Sequence, residues 1–148
     1  MQTKQDWEWL AASSEYQTAI AVQELLREEK WMEASEGLAF LIESMGKSKR
    51  LALKSQLIRL MSHVIKWKCQ PGLRSASWSI SIRSARLEIE DIQEEVPSLN
   101  RNFIESIWDK SFSRAVKNAE EEMGMKCQLT SLSWEEVFDE KYSLLAEN

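Results

Sequence analysis

Residues 63–86 read HVIKWKCQPGLRSASWSISIRSAR, and the way this stretch divides decides the fold. It contains the chain's single His and two of its seven Trp, and it has no acidic residue. At its centre, Pro71 pushes Gln70 out of the α region and Gly72 allows a sharp reversal. Upstream of that break, Leu53, Leu57, Leu60, Met61 and Val64 share one helical face, and Ile58 and Ile65 widen it. Downstream, Trp78, Ile82, Ala85, Ile89, Ile92 and Val96 recur at steps of three and four. The stretch is thus a helix end, a Pro-Gly turn and a helix start. A face as broad as that of the upstream helix, about Lys49 to Cys69, belongs to a central helix.

The same spacing extends outward. Ser14 and Gln17 have the form of a capping box, predicting a helix from about Glu15 to Glu29 with Ala19, Ile20, Val22, Leu25 and Leu26 facing inward. A second helix, about Met32 to Met45, is expected to bury Leu38, Leu41, Ile42 and Met45. Gly46 is expected to stop it and Ser48 to cap the next. The helix after the Pro-Gly turn runs from about Arg74 to Glu95. Pro97 ends it, and Ser98 caps a fifth from about Leu99 to Met123, closed by Gly124. Ile104, Trp108, Phe112, Ala115, Ala119 and Met123 face inward there. Ser133 and Glu136 form another capping box, opening a short helix that docks through Trp134, Val137 and Phe138. The expectation is one all-α domain over residues 1–148, a bundle of about five main helices plus a short C-terminal helix.

The bulk numbers agree. With 148 residues, 43% of them hydrophobic and 29% charged, the chain can bury roughly 70% of its unfolded surface. No apolar run approaches the roughly 18 residues of a membrane span, and the N-terminus lacks the order of a secretory signal. Cys69 and Cys127 read as reduced thiols in a cytoplasmic protein, although they are able in principle to pair.

Charge is unevenly spread. Lys47, Lys49, Arg50, Lys54, Arg59, Lys66, Lys68, Arg74, Arg83 and Arg86 lie in a window with no acid, while all 24 acidic residues lie outside it. Such a basic centre, interleaved with Trp67 and Trp78, suits phosphate contacts and base stacking. The competing reading is that neighbouring acidic helices neutralise it within the molecule.

The residues of the opening stretch carry a resemblance. His63, Lys66-Trp67, Gln70-Pro71, Arg74-Ser75, Ser77-Trp78, Ile82 and Arg86, in this order and spacing, resemble the core signature of the bacterial family catalogued as domain of unknown function 29. KSKRLALKSQLIRLM (Lys47–Met61), Pro97–Leu99, AEEEMG (Ala119–Gly124) and LSWEEVF (Leu132–Phe138) are similar to further family segments, most of all in its cyanobacterial branch. The resemblance implies a helical, cytosolic bacterial protein and no particular activity. The chain departs from the pattern at Phe40-Leu41, where many members carry two acids, and at Ser81, where a Thr is common.

For chemistry the signals are thin. His63 near Ser62 or Ser77 has the residue types of a general base and a nucleophile, but no third residue to orient them is legible. His63 and Cys69, six apart, do not share a helical face, so no metal site is expected. No phosphate-binding glycine cluster is present and no cofactor is expected. The chain therefore reads as non-enzymatic, acting through a protein partner or self-association, with nucleic-acid binding through residues 47–86 as the alternative and no membrane contact. The expected binding surface comprises Arg59, His63, Lys66, Arg74, Ser75, Ser77 and Arg86.

Overall fold

The computed structural model describes residues 3–145, which are all-α with no strand among them. The helices are α1 (Lys4–Ser13), α2 (Glu15–Arg27), α3 (Trp31–Cys69), α4 (Ala76–Glu95), α5 (Arg101–Ser106), α6 (Trp108–Met123) and α7 (Trp134–Phe138), with a 3₁₀ turn at Pro71–Leu73. Contacts divide the chain into two compact units, Met1–Arg50 and Leu51–Asn148. Helix α3 contributes residues 31–50 to the first and 51–69 to the second.

In the first unit, α1 was not foreseen. Its start is fixed by a reciprocal capping box between Thr3 and Asp6. Trp7 then falls on the inner face and is 1% exposed, beside Val22, Ala34, Leu10, Leu25 and Phe40. Gly37 makes this possible. A Cβ on Gly37 would lie 2.6 Å from Trp7 Cζ2, so the indole occupies the space a side chain would need. Ser44 Oγ donates to Ala11 O at 2.8 Å, tying α3 to α1 a second time. Ser14 ends α1 and caps α2 through the Gln17 N–H at 3.1 Å. The link to α3 places Glu29 at φ 60°, with Lys30 N–H on Leu25 O and Glu29 N–H on Leu26 O. That is the bonding of a Schellman stop, with Glu where Gly is usual.

Helix α3 overturns the expected break at Gly46 and cap at Ser48, for it runs unbroken through both. Glycine costs a helix interior only about 1 kcal/mol. Here both flanks are anchored: Leu41 and Ser44 pack in the first unit, and Leu53 and Leu57 are fully buried in the second. The inward faces assigned to the flanking segments also need correction. Of Leu38, Leu41, Ile42 and Met45, only Leu41 is buried. Of the five apolar residues assigned to α2, only Val22 is buried and Leu25 half-buried.

The second unit follows the expected pattern more closely. Leu53, Leu57, Leu60, Met61, Val64 and Ile65 form the floor of its core, joined by Ile82, Ala85, Ile89 and Ile92 of α4 and by Ile104, Ala115 and Ala119. Ser75 caps α4, accepting from Trp78 N–H at 3.2 Å. The expected fifth helix is two. Leu99 is pulled into the core before any helix starts, so Asn100 rather than Ser98 supplies the cap, and the chain bends at Ile107. Gly124, at φ 67°, ends α6 as anticipated. The Ser133–Glu136 capping box opens α7, whose Val137 is buried. Trp134 and Phe138 meet Trp108 with ring centroids 5.7 and 6.2 Å away.

Candidate functional site

The polar row on α3 lies in a groove of the second unit. Ser55, Ile58, Arg59, Ser62 and His63 line it from α3, and Asn118 and Glu122 from α6, around a cavity of about 350 Å³. His63 Nδ1 lies 2.8 Å from Arg59 O, which can only accept, so Nδ1 carries the proton. Burial pushes the imidazole pKa down, the Arg59 carbonyl opposes that shift, and the nearby Lys66 ammonium adds to it. Arg59 itself donates to Gln56 Oε1 at 3.1 Å. Lys66 is 6% exposed and ion-paired with Glu122, with its ammonium 5.3 Å from the Trp78 ring centre. The row is therefore partly closed over by α6.

A second polar cluster forms where α3, α4 and α7 meet residues 139–142. Lys68 lies 3.0 Å from Glu136 Oε2 and 3.4 Å from Glu140 Oε2. Burial opposes its charge, but the two carboxylates outweigh it and its pKa is raised. Ser133 N–H and Lys68 together hold the Glu136 carboxyl below its usual range, against the effect of burial. Tyr142 Oη lies 2.6 Å from Glu136 O and 3.0 Å from Glu140 Oε2, and burial beside Glu140 pushes its pKa up. Arg86 donates through Nε to Val137 O at 2.9 Å and stands over the Tyr142 ring.

The expected site residues thus separate. Arg59, His63 and Lys66 share the groove. Arg74 sits at the turn, donating to Trp67 O at 2.8 Å and stacking on the Trp67 ring. Ser75 serves as a helix cap, Ser77 is exposed, and Arg86 joins the Tyr142 cluster. Within the basic window, Arg50, Arg59, Lys66, Lys68, Arg74 and Arg86 bond protein acceptors. Arg83 remains exposed. Glu122, Asn118 and Tyr142 were missed because they lie far along the chain with no spacing that ties them to α3.

A further unassigned feature belongs to the first unit. Trp31, Leu38, Ile42 and Met45 are 59%, 45%, 61% and 43% exposed. At 100° per residue these positions fall within about 60° of one another. The face packed in the unit, with Ala34, Gly37 and Leu41, lies beside that stripe. Periodicity merged the two into one broad inward surface. A partial signal is size: Ala34 and Gly37 are small where the packed face lies, whereas the stripe carries only large side chains.

A family model described as Domain of unknown function DUF29 matches residues 14–143. The chain belongs to the DUF29 family. No curated protein and no solved structure matches it. The DUF29 match begins at the cap of α2 and includes all of α3, hence both the His63 groove and the apolar stripe. No helix among the described residues is long and apolar enough to cross a membrane.

Proposed function

We propose that this DUF29 protein is a non-enzymatic, cytoplasmic binding module, and that the α3 stripe is the face through which it binds another protein chain, a second copy first of all. One observation carries the reading: Trp31, Leu38, Ile42 and Met45 stand uncovered in a single line on a helix. Their steps of seven, four and three are those of the d and a positions of a coiled-coil seam, with Ser35 filling the remaining a position. The adjoining positions on one side hold Met32, Ala39 and Gly46, and on the other Ala34, Leu41 and Ser48. None carries charge, so a copy of the same helix meets no like-charge repulsion along the seam. A contiguous apolar patch on a protein of this size marks an interaction surface, and two-fold pairing is the commonest way to cover one.

The polar groove supports the non-catalytic part of the reading. His63 donates a hydrogen bond from Nδ1 to a carbonyl on its own helix, and burial lowers its basicity. The lowered basicity suits a packed histidine better than a general base. The internal bonding of the basic window likewise reduces the phosphate contacts it has to offer. Light scattering over a concentration series is the test. Mass above the 17.2 kDa chain is expected; a strict monomer with no co-purifying protein contradicts the proposal.

A further inference from the structure

Cys69 and Cys127 are the chain's two cysteines. Cys69 is the last residue of α3, and Cys127 lies in the irregular segment between α6 and α7. Folding brings their Sγ atoms to 3.7 Å across 58 residues of sequence, with both thiols free and half-buried. Cys127 is held there from both sides. Its N–H donates to Glu120 Oε2 at 2.7 Å, Leu129 N–H donates to its Sγ at 3.3 Å, and Gln70 Nε2 reaches Met125 Sδ at 3.5 Å. A disulfide of about 2.05 Å needs the sulfurs to approach by less than 2 Å. The segment carrying Cys127 has no helix to break in making that shift.

We propose that Cys69 and Cys127 form a reversible disulfide-forming site whose oxidant is a small-molecule disulfide of the glutathione class. In the first step, one protein thiol loses its proton to solvent and attacks the small disulfide. The new S–S bond forms as the old one breaks, and one small thiol leaves with the electron pair. In the second step, the other protein thiol deprotonates and attacks the protein sulfur of this mixed disulfide, releasing the second small thiol. The protein gives up two electrons and two protons, and the small disulfide takes both. Burial and the adjacent Cys127 raise the pKa of Cys69, so this thiol is not an activated nucleophile of the kind oxidoreductases carry. A reducing compartment keeps it open, and the crosslink reports a shift toward oxidising conditions.

The closed ring encloses α4, α5 and α6, so the crosslink stiffens the second unit. The test incubates reduced full-length protein with excess oxidised glutathione and reads intact mass, titratable thiols and peptide maps. The expected product has lost two hydrogen masses, has no titratable thiol, yields one linked Cys69–Cys127 peptide pair, and melts about 5–10 °C higher than the reduced form. The Cys127→Ser variant is expected to hold one stable glutathione adduct on Cys69, because nothing remains to resolve it. Wild-type protein that keeps both thiols titratable, accumulates glutathione on both, or links chain to chain overturns the proposal.

Discussion

At the scale of single residues, the most informative group is the Lys66 ammonium, buried yet charged. Its partner Glu122 has a side chain 59% exposed, so water screens the pair from one side. Glu122→Ala strands the ammonium and is expected to cost about 1–2 kcal/mol in chemical denaturation. That is less than the about 3–5 kcal/mol of stripping a partner from a fully buried pair. Lys66→Met keeps the volume and removes the charge, and should fall within about 1 kcal/mol of wild type. If the methionine variant proves the worse of the two, the ion pair holds the groove together more than packing does. His63 supplies a pH-dependent counterpart. Its pKa in the folded protein lies below the ordinary 6.5, mainly through burial. Folding therefore favours neutral imidazole, and the unfolded chain binds the extra proton. This contribution is fully present above 6.5 and is lost as pH falls below it. His63→Gln should lose less stability than wild type between about pH 7.5 and about pH 5.5 in urea titrations; equal losses would assign that slope to other groups.

At the scale of elements, α3 shows how close packing and propensity divide the work. Gly37 and Gly46 both sit in its interior, and only one is required. At Gly37 a methyl group collides with the Trp7 ring, so Gly37→Ala is expected to destabilise the first unit by about 1–3 kcal/mol. At Gly46 the nearest atom is the mobile Arg50 Nη1, 3.2 Å from a built Cβ, and Gly46→Ala should stabilise by about 0.5–1 kcal/mol. Thermal melts of the two variants check the pair, and equal shifts would contradict it. The same contrast explains what was readable beforehand. Ser75, expected on the binding surface, is the cap of α4, whereas the end of α6 and the start of α7 were legible because Gly124 and the Ser133–Glu136 box act through their nearest neighbours. The passage of α3 through Gly46 was not, because it depends on anchors at Leu41 and Leu53 on either side. Nor was the burial of Trp7, which finds its place only against Gly37, thirty residues on, although the Thr3–Asp6 box that starts α1 is itself a local signal. The site divided likewise. The row of Arg59, His63 and Lys66 was visible from helical periodicity, whereas Glu122 and the approach of Cys127 to Cys69 depend on tertiary folding.

At the scale of the whole molecule, two properties of the sequence take on different meanings. The basic window from Lys47 to Arg86 is bonded largely within the protein, as Lys66–Glu122 and Lys68–Glu136 illustrate. The first unit, by contrast, buries little: Trp7, Val22 and Ala34 are the centre of its core, while Trp9, Tyr16, Trp31, Met32 and Ile42 are each more than half exposed. Uncovered aromatic and aliphatic groups of this kind supply binding energy when a partner removes them from water, at about 25 cal/mol per Å² of apolar surface. The central claim is that the α3 stripe is the docking face, and sedimentation velocity of Ile42→Glu beside wild type tests it most directly. A carboxylate at the middle of the seam leaves the buried face of α3 untouched, so helical circular dichroism should be unchanged. The account predicts that wild-type protein sediments as an assembly larger than the 17.2 kDa chain and that Ile42→Glu sediments as a monomer. An Ile42→Glu protein that assembles as the wild type does would contradict it.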